Sequence, residues 1–117
     1  DQGIDSQRII VAGFSQGGAV AYHAALTFPA SLGGLLAMST YFATADNIDL
    51  AEANRQIPIE VQHGNFDPIV PESLGRSGAD RLKEMGYAVN YRQYPMAHAL
   101  CPQQVNDIGK WLSSRLN

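Results

Sequence analysis

A single cysteine, Cys101, stands in 117 residues. That excludes an internal disulfide framework and fits a reducing compartment, so a cytoplasmic protein is expected. Charge is also sparse. Asp, Glu, Lys and Arg make up 16% of the chain and sum to −3, leaving no basic footprint for nucleic acid. No apolar run approaches the roughly 18 residues that a bilayer span needs, and no basic-then-apolar leader opens the chain, so no membrane span is expected. Repeats, low-complexity tracts and interdomain linkers are missing too. The chain has no initiator Met and begins Asp1-Gln2-Gly3, which reads as a processed product or a fragment. What remains is 45% hydrophobic, enough for one packed domain that buries somewhat under roughly 70% of its unfolded surface.

Residues 11–18 read Val-Ala-Gly-Phe-Ser-Gln-Gly-Gly, between an apolar run, Ile9–Phe14, and a helix-like stretch from Gln16 to Thr27. Strand, Gly-x-Ser-x-Gly and helix together describe a nucleophile elbow. The turn holds Ser15 in strained backbone geometry, and Gly13 and Gly17 are expected to let strand and helix approach. The helix N-terminus beside Ser15 favours developing negative charge.

Strand and helix patterns alternate along the rest of the chain. Gly34–Thr40 reads as a second strand, and 41–56 as a loop with a short helix. Pro58–His63 is a third strand, with Ile57, Ile59 and Val61 on one face. Ser73–Met85 is a helix closed by Gly86, and Ala88–Tyr94 alternates as a fourth strand. Gln103–Leu116 is an amphipathic helix, with Val105, Ile108, Trp111 and Leu112 on its core face. Crossover-length connections imply a mostly parallel sheet flanked by helices, an α/β fold.

Two further clusters fall at strand ends. His63-Gly64-Asn65-Phe66-Asp67-Pro68-Ile69-Val70-Pro71 places Asp67 just past the third strand, at the edge where open α/β sheets assemble their sites. Taken alone, a strand-to-helix turn with an Asx-type hydrogen bond explains Asp67 equally well. Tyr94-Pro95-Met96-Ala97-His98 places His98 past the fourth strand. Ser15, Asp67 and His98 occur in the order of the α/β-hydrolase triad, each after a different strand.

On these residues the chain resembles the phospholipase/carboxylesterase family, which includes acyl-protein thioesterases, within the α/β hydrolases. The likeness rests on Gly13-Phe14-Ser15-Gln16-Gly17-Gly18-Ala19, on His63-Gly64 with Asp67-Pro68-Ile69-Val70-Pro71, and on Tyr94-Pro95-Met96 before His98. Gly33-Gly34, Ser39, and Asp107-Ile108 with Trp111-Leu112 support it. The resemblance implies that Ser15 is the nucleophile, Asp67 the acid and His98 the base, with Gln16 giving one oxyanion-hole N–H. It implies carboxylic ester substrates of short to medium chain, or acyl-thioesters or lysophospholipid-like esters. Ala97 and Ala99 depart from the family pattern, which has Gly before the histidine and Glu or Ser after it.

The resemblance also implies that residues 1–117 form a partial domain, the C-terminal half of the hydrolase fold. The upstream strands and the loop that supplies a second oxyanion donor would lie outside it. Losing one such donor costs about 2.7–4 kcal/mol. The first strand would then be a bare apolar edge, and a complement is expected: the N-terminal half, another polypeptide or a second copy. The alternative to an esterase is therefore an incomplete half, inactive alone or acting in assembly.

No metal or organic cofactor is needed for this chemistry, and no zinc-like spacing occurs. Residues of 41–56, with Ile69, Val70 and Leu100, are expected to wall the substrate pocket. Asp46 and Asp49 are rival acids without a motif. His63 is expected to orient its loop by hydrogen bonding, and His23 to be structural or exposed. Cys101 beside His98 is expected to be a packing residue.

Overall fold

The structure, a computed structural model, describes residues 5–116. Four parallel strands, β1 (Ile10–Phe14), β2 (Gly34–Met38), β3 (Ile59–Gly64) and β4 (Val89–Tyr94), lie in sequential order across one sheet. Three helices accompany them: α1 (Gln16–Thr27), α2 (Glu72–Glu84) and α3 (Pro102–Leu116). Each bound lies within three residues of its expected place. The largest difference is β2, which stops at Met38 because Ser39 turns to φ 50° and leaves the ladder.

Local chemistry explains the ends. Pro29 follows Phe28, the last cap of α1. Gly86, at φ 97°, closes α2 in a Schellman motif: its N–H donates to the Lys83 carbonyl and that of Tyr87 to Leu82. Segment 41–56 contains one short 3₁₀ turn, Glu52–Asn54.

The side-chain period of two divides the sheet into faces. Val11, Leu35, Ala37, Ile59, Val61, Val89 and Tyr91 meet Ala21, Tyr22, Ala25 and Leu26 of α1 and Ala79 and Leu82 of α2 in one core. The other face carries α3, where Gly34 lies against Trp111 and Tyr94 donates its hydroxyl to Asp107. One expectation fails on this face. Val105 is exposed and Gln104 is fully buried in its stead. The helix is turned by about 100° per residue from one to the other, because the sheet beneath it is polar there. Glu60 and Gln62 are fully buried, Gln62 donates to Glu60, and the Gln104 amide donates to Gln62. Arg92 and Asn90 complete the Glu60 carboxylate.

Asn54 ties the β2 entry to the core. Its Oδ1 accepts from the Leu32 N–H at 2.8 Å, and its amide donates to the Phe28 and Ala30 carbonyls. Asn54→Ala would leave three buried or part-buried backbone groups without partners, so a loss of about 2–3 kcal/mol is expected. A thermal melt reads it as a fall of roughly 10 °C. A fall under about 3 °C would mean water takes over these bonds.

Candidate active site

All strands point the same way, so β1, β3 and β4 deliver Ser15, Asp67 and His98 to one edge. β1 and β4 are separated by two strands, or about 14 Å at the usual strand spacing. The β4–α3 loop must therefore fold back across the sheet edge. Gly64 permits this: a Cβ there would stand 2.3 Å from the Met96 carbonyl oxygen and 2.6 Å from that of Ala97. The Asn65 and Phe66 N–H groups bind the same loop through the Tyr94 and Met96 carbonyls.

The elbow turns on Ser15 at φ 58° and ψ −126°, a strained conformation for a residue with a Cβ. Its neighbours hold it there. The Ser15 N–H donates to the Met38 carbonyl, continuing the ladder, and the Thr40 hydroxyl donates to the Ser15 carbonyl. Gly13 is required, since a Cβ would meet the Gly17 carbonyl oxygen at 2.3 Å. Gly17 itself is not, because a Cβ there meets nothing within 4 Å among the described residues. The second crowded position is Gly18, which lies against Thr40. The Gly17-Gly18 doublet is the only sequence signal of that contact.

His98 Nε2 lies 2.9 Å from Ser15 Oγ, and its Nδ1 lies 2.7 Å from Asp67 Oδ2. Phe14 packs beside the imidazole at 4.8 Å between ring centroids. Asp67 is buried, and its Oδ1 accepts from the N–H groups of Ile69 and Val70 at 2.9 and 2.8 Å. The Asx-type turn and the contact with His98 thus coexist, one on each carboxylate oxygen. Burial works against charge on Asp67, but the bonds from His98, Val70 and Ile69 outweigh it and hold the carboxyl below its ordinary range. A carboxylate only accepts, so Nδ1 carries hydrogen and Nε2 offers its lone pair to the Ser15 hydroxyl.

Gln16 opens α1, so its N–H belongs to the first turn, where no intrahelical acceptor exists. Of the expected wall residues, Ile69 and Leu100 are exposed, whereas Val70 is buried. Val70 also donates its N–H to Asp67. Tyr41, Ala43 and Thr44 line a groove with Gln16, Ala19, Val20 and His23, directly beside the elbow.

The other polar residues lie apart from this contact. Asp46 is exposed and pairs with Arg81, and Asp49 is exposed. His23 is exposed and meets Thr44 at 3.3 Å. Cys101 is half-buried. His63 is fully buried and meets the Val70 carbonyl at 2.7 Å, as a loop-orienting residue should. Among the described residues no helix is long and apolar enough to cross a membrane.

Comparison with known proteins points the same way as this geometry. The phospholipase/carboxylesterase family model matches residues 1–116. Acyl-protein thioesterase 1 of Gibberella zeae is 40% identical over 121 residues, covering 99% of this chain and 52% of that protein. Acyl-protein thioesterase 1 of Neurospora crassa is also 40% identical, with 99% and 49% covered. The chain thus spans about half the length of the curated relatives it matches. Among solved structures, Arabidopsis thaliana SOBER1 superposes with a TM-score of 0.90 at 26% identity, covering 99% of this chain and 57% of that one. Zea mays acyl-protein thioesterase 2 gives 0.79 at 26% identity, with 91% and 55% covered. With its parallel sheet, its elbow and a family match over nearly its whole length, the chain belongs to the phospholipase/carboxylesterase family of α/β hydrolases.

Proposed function

We propose that this chain carries the catalytic triad of a serine hydrolase that cleaves short- to medium-chain carboxylic esters or acyl-thioesters. The carrying observation is the continuous hydrogen-bonded row from Ser15 Oγ through His98 to Asp67, at 2.9 and 2.7 Å. In the first step Nε2 of His98 takes the Ser15 proton while Oγ bonds to the substrate carbonyl carbon. The carbonyl π electrons pass to its oxygen, which the Gln16 N–H and the α1 N-terminus stabilise. Asp67 stabilises the imidazolium. Collapse of the intermediate expels the alcohol or thiol with the proton from His98, leaving an ester on Ser15. Water then repeats the sequence and releases the acid.

The groove of Tyr41, Ala43, Ala19 and Val20 supplies an apolar wall for the acyl group, and Ile69 and Leu100, exposed on the loops after β3 and β4, are further apolar side chains for it. The names of the relatives support thioesters as substrates. The single Cys101 fits a cytoplasmic setting.

A complement completes the domain. β1 pairs only with β2 among the described residues, so Ile10–Phe14 offers a free parallel edge. The other half of the hydrolase domain docks there and brings the second oxyanion donor. On this reading residues 1–117 are one half of a domain, of low activity by itself.

A fluorophosphonate tests the chemistry, since only an activated serine is phosphonylated rapidly. One adduct per chain, located on Ser15 by peptide mass and absent after heat denaturation, is expected of the full protein. An unmodified protein, or an adduct elsewhere, refutes the triad. Labelling of the full protein but not of residues 1–117 assigns the deficit to the complement.

A further inference from the structure

One buried histidine takes no part in the chemistry above. His63 ends β3 with no exposure at all, and its Nε2 lies 2.7 Å from the Val70 carbonyl oxygen. A carbonyl only accepts, so Nε2 carries the hydrogen. Nδ1 has no partner among the described residues. It faces α2 at Gly75, where a Cβ would stand 2.2 Å away, so glycine alone lets the helix close on the ring. Clamped between β3 and α2, the imidazole has one directed bond to make.

That bond falls on the residue that holds Asp67. Val70 accepts from His63 at its carbonyl and donates from its N–H to Asp67 Oδ1. The ring nitrogen also stands 3.6 Å from Oδ2, the oxygen that His98 contacts. We propose that His63 is a positioning residue for Asp67, a reading that rests on the triad chemistry above. Its Nε2–H pins the 67–70 turn, so that the two backbone N–H groups stay on Oδ1 and Oδ2 remains aimed at His98. Simple packing explains the residue less well. A buried imidazole with one nitrogen unpartnered loses hydration that a phenyl ring of similar volume would never have had.

In the full protein, His63→Phe should fill the site without the donor, and His63→Gln should restore an N–H near the Nε2 position. Misplacing a catalytic group by about 1 Å costs up to about 100-fold. His63→Phe is therefore expected to lower kcat by about 10- to 100-fold with KM within about twofold, and His63→Gln to recover most of it. Equal losses in both variants, or unchanged kcat in His63→Phe, overturn the proposal. Nitrogen-15 spectra of the unmodified protein test it without any variant. They should show His63 protonated at Nε2 and bare at Nδ1, and the opposite tautomer overturns the proposal. Fluorophosphonate labelling separates the two readings. A wild-type protein that does not label overturns both, whereas His63→Phe labelling at the wild-type rate overturns only the role of His63.

Discussion

Ser15→Ala is expected to lower kcat by about 10⁶-fold, and adding His98→Ala to it to change little more. The reason lies in the geometry of one contact. His98 Nε2 stands 2.9 Å from Ser15 Oγ, and in the proposed mechanism the proton it removes is the Oγ proton. Without Oγ there is no proton to take, and without the base the hydroxyl stays a weak nucleophile. The two side chains act as one device, so their losses cannot add. KM should change little, because neither group supplies much uniform binding. A residual rate about 10³–10⁴ above water remains from binding and from the oxyanion donors. Single-turnover kinetics on a short-chain chromogenic ester measure the wild type, both single variants and the double variant. A single variant losing less than about 100-fold, or a double variant losing the product of the two, would show that Ser15 and His98 do not form a catalytic pair.

Most of this site is local in sequence, which is why it was legible there. An elbow needs a strand, a bend and a helix within about 20 residues, and Ile9–Thr27 contains all three. Asp67 and His98 were found by a rule about sheet edges that needs only strand order. The features that escaped are contacts between elements. Thr40 holds the Ser15 carbonyl from the loop just after β2, and only the register Gly13↔Ala37 with Phe14↔Met38 brings the two together. Gly75 must be small because a ring 12 positions earlier lies beneath it, which no helical periodicity reports. Gln104 escapes a sequence reading for a related reason. Periodicity assigns apolar side chains to the core, but Glu60 and Gln62 make that part of the sheet polar, and an amide fits it better than Val105. The Val70 N–H on Asp67 is a backbone contact, which side-chain type does not report.

Asp67→Asn keeps the shape of the side chain, and it is expected to lower kcat by about 10⁴-fold at neutral pH. Two backbone donors, Ile69 N–H and Val70 N–H, converge on Oδ1 at 2.9 and 2.8 Å. In the variant the amide oxygen must take that place, because an NH₂ group facing two donors would leave all of them unpaired. The NH₂ group then falls where Oδ2 was, 2.7 Å from His98 Nδ1. Nδ1 becomes an acceptor, the hydrogen moves to Nε2, and Ser15 meets a donor where it needs a base. Stability responds with the opposite emphasis. Asp67 is held below its ordinary value of 3.8, so its charge contributes stability that is fully present above about pH 4 and is lost as pH falls through the lower, folded value. Asparagine has no such dependence. Unfolding midpoints should therefore separate the two proteins most at neutral pH and converge on acidification. A variant that keeps more than about a tenth of wild-type kcat would mean that Asp67 does not set the tautomer of His98.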